Sequence, residues 1–417
     1  MKENRAVVDS KLSPLLLARK VVKLLLGMLV FSVLSMIIVS AIPNTLVSDS
    51  VNSSLALLDE EGLYHFAFID LDENRQTATQ SDGFTERVMI LSAITDPNMS
   101  IIENTMSVRG YPRFWHGYLV LLKPLLILFD LSVLRTLCCI AFLLLFTMAV
   151  HQIANQISLS LALCFCLAFS LFNVPVIMIS LQFSITFLLT LLACNILLFY
   201  LPKKLSPYWV PCFFLVCGGA TIFFEFLTSP LITLGLPLTL YLAYQVNKKQ
   251  ISAFEQVKQI IMLGLLWLLG YSFIWFMKWA LASLVLGSNI IEEAVNQMRL
   301  RTVTDFGEPL AQSPVELIGK LFSLIPLPAL VPLTIILLLV ALIQNIVRGE
   351  RKAIVNSLPL LLVICMPFAW FTVLHGHTAR HFWFVYRELL VSYFAAFSML
   401  WLLFTKRSEK RVTRQGA

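Results

Sequence analysis

Ten apolar stretches, at about residues 21–42, 133–152, 158–174, 184–200, 208–227, 229–246, 259–277, 325–346, 355–374 and 388–404, leave this chain few ways to fold. A backbone surrounded by hydrocarbon must pair its own N–H and C=O groups, so a run of about 20 apolar residues crosses a bilayer as a helix. Only 13% of the 417 residues are charged, against about 25% in soluble domains. The expected fold is all-α: a single polytopic membrane domain, 1–417, with about ten transmembrane helices. Its net charge of +7 does not mark a nucleic-acid binder, because the basic residues sit in short clusters between apolar stretches. All eight cysteines fall inside those stretches and are expected to pack there, with no metal or disulfide role. The Val39-Ser-Ala41 triplet resembles a signal-peptidase site, but the preceding apolar run exceeds a signal-peptide core, so it reads as an anchor.

Charge asymmetry sets an expected orientation. With both termini cytoplasmic, the inner segments carry 19 of the 31 basic residues and five acids, net +14; the outer segments are net −7. The long polar insertion 43–115 then lies outside, followed by a short amphipathic stretch, 118–129, expected to lie along the interface. A second outer stretch spans 278–320, and the basic tail 405–417 lies inside. Five of the six histidines (His65, His116, His375, His377 and His381) fall on the outer side. Polar groups gathered at one rim of a membrane protein point to a site there.

Several clusters at that rim carry chemistry. The insertion closes with Arg109-Gly-Tyr-Pro-Arg113-Phe-Trp-His116-Gly-Tyr118, which sets cations among aromatics. Its acids form two groups, Asp59-Glu60-Glu61 and Asp82-Gly-Phe-Thr-Glu86. Asp82 either caps a helix opening at Phe84, with Glu86 one turn in, or takes a proton from an attacking hydroxyl. Glu225 lies between aromatics at the end of an apolar stretch, where it needs an Arg or Lys partner. Lys278, between Trp275 and Trp279, is either a belt anchor or a ligand. In the last outer segment, 375–387, a helix would put Thr378, His381, Val385 and Glu388 on one face and Arg380, Phe384 and Arg387 on another. Its His-x-His-x3-His spacing lacks a fourth metal ligand, whereas paired arginines match a phosphate.

The order of these parts resembles membrane glycosyltransferases of the GT-C fold, including protein mannosyltransferase-like and arabinosyltransferase-like enzymes. The likeness is carried by His116-Gly-Tyr-Leu, then Lys-Pro-Leu-Leu, then Leu-Phe-Asp-Leu-Ser-Val-Leu-Arg135. It is also carried by Phe-Leu-Thr-Ser-Pro-Leu-Ile-Thr-Leu-Gly (226–235) and His-Phe-Trp-Phe-Val-Tyr-Arg (381–387), which are similar to segments of uncharacterised polytopic proteins from Gram-positive bacteria. The resemblance implies inverting transfer of a hexosyl or pentosyl unit from a polyprenyl-phosphate carrier to a cell-envelope acceptor on the outer face. Asp82 would be the base, with Glu86 and Asp59 as alternates. Arg109, Arg113, His116, Lys278, Arg380 and Arg387 would hold the lipid phosphate, with Glu225, His377 and His381 also at the substrate. No cofactor is implied as essential, a divalent metal being the minor alternative. The chain departs from the clearest members in lacking an acid pair directly after the first span and a soluble C-terminal domain. The rival reading is a lipid or polysaccharide transporter or flippase, which should line a transmembrane path with polar residues. The deep polar residues here are Asn173, Gln182 and Asn195.

Overall fold

A computed structural model describes residues 13–67, 72–203, 206–248, 251–305, 308–309, 312–327 and 329–415. Lys2, Arg5, Lys11, Lys204, Lys249 and the side chains of the tail from 405 onward lie outside that description. The chain begins with α1 (Pro14–Ser40) and continues into the polar insertion, which folds as α2 (Ser48–Glu61), α3 (Glu73–Ala78), α4 (Gly83–Leu91) and α5 (Ile101–Ser107). After α6 (Leu119–Leu125) come α7 (Leu131–Gln156), α8 (Leu159–Ser170), α9 (Val174–Ile179), α10 (Leu181–Tyr200), α11 (Trp209–Phe224), α12 (Ile232–Lys248) and α13 (Ala253–Leu286). The last third comprises α14 (Ile290–Val303), α15 (Pro314–Ser323), α16 (Leu330–Val347), α17 (Arg351–Ser357), α18 (Leu360–Val373), α19 (His375–Arg380), α20 (Phe382–Val385) and α21 (Leu389–Gln415). The only sheet among the described residues pairs Thr304–Asp305 with Glu308–Pro309. The protein is thus an all-α polytopic membrane protein.

Among the described residues, seven helical segments are long and apolar enough to cross a membrane: Pro14–Ser40, Leu131–Gln156, Leu181–Tyr200, Ala253–Leu286, Leu330–Val347, Arg351–Val373 and Phe382–Phe404. The other three expected spans correspond to α8, α11 and α12, with 12, 16 and 17 residues. At 1.5 Å per residue they reach about 18, 24 and 26 Å, under the ~30 Å of a hydrocarbon core. Every residue of α12 from Ile232 to Val246 is buried, so this helix forms the bundle's centre. Leucine, isoleucine, valine and phenylalanine remain exposed on the outer helices, for example Leu26 and Phe31 on α1, Leu144 on α7 and Ile343 on α16. A face of that kind suits lipid.

Helices α11 and α13 approach each other closely, and glycines make it possible. A Cβ on Gly218 would collide with the Trp267 carbonyl, and one on Gly270 with the Leu215 carbonyl. Small residues let membrane helices approach backbone to backbone, where dispersion forces take over from the missing hydrophobic drive. Two boundaries differ from the sequence expectation. The second outer stretch starts later than residue 278, because α13 continues to Leu286. A cation is tolerated inside it because the Lys278 ammonium donates to the Thr105 and Met106 carbonyls, at 3.1 and 2.9 Å. The expected interface stretch 118–129 contains only the seven-residue α6, which leaves Leu121 and Leu128 exposed and turns Lys123 inward.

Because backbone atoms cannot yield as a side chain can, Gly218→Ala and Gly270→Ala should each destabilise the protein by about 1–3 kcal/mol. Gly264→Ala, which meets nothing within 4 Å, should change stability by less than about 1 kcal/mol. Thermal unfolding in detergent would separate them; equal midpoints for all three variants would refute the close approach.

Candidate functional site

The insertion is stitched to the bundle along the segment singled out by its aromatics and arginines. Trp275 and Trp279 on α13 both donate their indole N–H to the Arg113 carbonyl, at 2.9 and 3.0 Å. Trp115 donates in turn to the Ile274 carbonyl, at 2.8 Å. His116 takes a left-handed backbone conformation (φ 56°), and the next amide, Gly117 N–H, donates to Phe223 O at 2.8 Å. A side chain at Gly117 would collide with the Phe223 ring. The His116 ring is itself enclosed, one nitrogen 3.1 Å from the Tyr118 hydroxyl and the other 3.0 Å from the Tyr111 carbonyl. His116 therefore shapes the turn and is sealed from any substrate.

The segment 375–387 comes to the same place but is not one helix. It breaks at His381 between α19 and α20 and tightens to a 3-10 turn at Tyr386–Glu388 before α21. The two expected helix faces are therefore not formed. The break lets the segment plug between the insertion and the 225–231 turn. Arg387 donates to the Ala78 carbonyl at 3.2 Å and lies over the Phe183 ring, 4.3 Å from its centroid. Tyr64 meets Trp383 edge to face, and His377 Nε2 donates to Leu227 O at 3.1 Å. Arg387 thus anchors α3 from a fully buried position.

Of the three candidate bases, only Asp82 has no ion-pair partner among the described residues. Glu86 is fully buried, bridged to Arg135 at 2.6 Å and accepting the Leu181 N–H at 2.5 Å. Arg135 also holds Glu61 at 2.6 Å, so it clamps α2 and α4 onto α7. Asp59 is paired with Arg87 on the surface. Asp82 caps α4, accepting the Thr85 N–H at 2.9 Å and the Thr85 hydroxyl at 2.8 Å. It is 5% exposed. Burial pushes its carboxyl up, Thr85 and the Gln182 side chain pull it down, and Glu86 adds an upward push. The Tyr64 hydroxyl is raised mainly by burial and by the Asp82 charge, with Arg380 acting the other way. Tyr64 therefore lies in the field of both Asp82 and Arg380.

A cavity of about 420 Å³ lies between α13, α14 and α18, and Asp82, Tyr64 and Arg380 are not among the residues that line it. Its walls are apolar and aromatic, with Phe114, Trp275, Trp279 and Trp370, and Arg113 and Arg301 both line it. Arg113 pairs with Glu293 at 3.1 Å and packs over the Tyr111 ring, while Arg301 donates to Gln297 Oε1 at 2.7 Å. The sequence does not mark Arg301, because the amphipathic stretch 290–303 resembles an ordinary surface helix. Its charge reaches the last segment, for it depresses both His377 and His381. Burial is the larger cause in each, bringing them to about 4 and about 3. The structure thus brings together Arg113, Arg301, His377, His381 and Arg380. Lys278 and Arg387 are spent on backbone carbonyls. Arg109, which donates weakly to Leu91 O, stands on the far side of the insertion beside Lys123. Glu225 accepts the Thr228 N–H at 2.7 Å and has no ion-pair partner among the described residues.

Burial also brings His116 to about 3. Three rings that fold in the neutral form contribute stability that is complete above pH 6.5, where the unfolded histidine is neutral too. That contribution is lost as pH falls towards the folded values. Each ring should cost about 1.4 kcal/mol per pH unit over that window. Thermal unfolding midpoints in detergent should therefore fall steadily between pH 6.5 and 5, and a flat profile would mean that the rings are not held neutral.

No protein-family model, curated protein or solved structure matches this chain.

Proposed function

We propose that the protein is a membrane glycosyltransferase of the GT-C type, transferring a sugar from a polyprenyl-phosphate carrier to a hydroxyl acceptor at the outer face. The observation that carries this reading is the amphiphilic cavity: aromatic walls sized for part of an isoprenoid chain, with two arginines placed for its phosphate. The positive-inside distribution of charge supports an outer location for that cavity. In the reaction, the carboxylate of Asp82 takes the proton of the acceptor hydroxyl as its oxygen attacks the anomeric carbon. The C1–O bond to phosphate breaks on the opposite side, with inversion. The lipid phosphate leaves with the electron pair, neutralised by Arg113, Arg301 and Arg380. A buried carboxylate without a cation is a better base than one held in an ion pair, which is why Asp82 outranks Glu86 and Asp59. The phosphate would displace Glu293 from Arg113, at small cost since that carboxylate is half exposed.

Asp82→Asn should abolish transfer, by about 10²–10⁴-fold, while leaving carrier binding nearly intact. Arg301→Ala should instead weaken carrier binding by about 1–3 kcal/mol. The assay is transfer from radiolabelled polyprenyl-phosphate hexoses and pentoses by the protein in liposomes. Full activity in Asp82→Asn would remove the proposed base. Movement of the intact carrier between leaflets, with no new glycosidic bond, would instead establish the transporter reading.

A further inference from the structure

Behind the cavity wall lie two acids that the proposed transfer does not use. Glu225 and Glu388 grip the same turn between α11 and α12 from two sides. Glu225 Oε2 accepts the Thr228 N–H at 2.7 Å, and Glu388 Oε1 accepts the Leu231 N–H at 3.2 Å. Both are buried, at 3% and 0% exposed. The amides they hold are three residues apart, so about 10 Å of chain at most separates them, and each carboxylate lies in the field of the other. Neither forms an ion pair among the described residues, in contrast to Glu86, the other fully buried glutamate, which has Arg135. The second oxygen of each, Glu225 Oε1 and Glu388 Oε2, has no hydrogen-bond partner there.

A third group points to what they hold. Tyr271 on α13 is 3% exposed, and its hydroxyl lies in the field of both carboxylates yet bonds to neither. The Ser229 hydroxyl, in the same turn and fully buried, is also unpartnered. Hydrogen-bonded oxygens close to about 2.7 Å. Oxygens arranged around a hard cation at about 2.0–2.6 Å from it stand farther apart and face one another without bonding. Two carboxylates, a phenol and a serine hydroxyl form an all-oxygen ligand set with a charge matching a divalent ion. Tyr271 is also part of the cavity wall, which gives the ion a route in.

We propose that Glu225, Glu388 and Tyr271 bind a hard divalent cation, magnesium or calcium, which staples the α11–α12 turn, α13 and the start of α21 together. This site is structural and does not depend on the transferase reading. The test is thermal unfolding of the purified full-length protein in detergent, after treatment with a chelator, on titration with magnesium chloride or calcium chloride. Sodium chloride matched for ionic strength is the control. One divalent ion should raise Tm saturably, by about 2–5 °C. The rise should vanish in Glu225→Gln/Glu388→Gln and need several-fold more cation in Tyr271→Phe, a variant that removes one oxygen and keeps the ring. No saturable response, or an equal response in the double glutamine variant, overturns the proposal. Should that variant not fold, a cation response in Tyr271→Phe identical to the parent's overturns it equally. A Tm that rises on acidification but responds to neither ion means that the carboxylates share a proton instead, and also overturns it.

Discussion

The docking of the segment 105–118 onto α13 is the contact on which the attachment of the insertion to the bundle depends. Lipid tails offer no hydrophobic drive for bringing a polar insertion down onto a bundle, so the attachment must be made by hydrogen bonds shielded from water. It is made with backbone carbonyls: those of Thr105 and Met106 take the Lys278 ammonium, and that of Arg113 takes two indole N–H groups. This fixes the C-terminal end of α5, holds the backbone of Arg113 at the cavity and delivers the chain to α6 in the correct direction. Without it, Arg113 and Arg301 would have no reason to share a cavity.

A second consequence is a division of labour among the charges packed between the insertion and the bundle. Most buried cations are consumed by structure: Lys278 and Arg387 by carbonyls, and Arg135 by Glu61 and Glu86. Burying a charge costs several kcal/mol unless such partners are supplied, and removing one partner of a buried pair is correspondingly severe. Arg113 and Arg301 differ, since their partners include the half-exposed Glu293 and a neutral glutamine, both readily replaced by a phosphate. Among the acids the same sorting leaves Asp82 at the junction of the insertion and the last segment. Its hydrogen-bond donor there is Thr85, and no guanidinium among the described residues forms an ion pair with it.

The sequence reveals the helices because apolar runs of that length admit no other structure. It also reveals the insertion and the cap at Asp82. What it conceals follows from one physical fact: the partners that settle the fate of Lys278, Arg387 and Arg109 are backbone carbonyls, which every residue possesses and no motif announces. The clamp at Arg135 joins acids 74 and 49 positions away in the chain. Arg301 resembles a solvated helical cation until α14 is seen folding against α13 and α19. The break at His381 is likewise set by what the segment must fit between, since its own residues are compatible with a continuous helix.

The central claim is that the insertion, α14 and the last outer segment together enclose a lipid phosphate within reach of Asp82. The most direct measurement is a structure of the protein with a polyprenyl phosphate sugar, solved in a lipid nanodisc. The account predicts the phosphate between Arg113 and Arg301, the isoprenoid along Trp275 and Trp279, and the sugar directed towards Asp82. Carrier density on the outside of the bundle, or a phosphate at the opposite membrane face with the Arg113–Arg301 cavity holding only acyl chain, would contradict it.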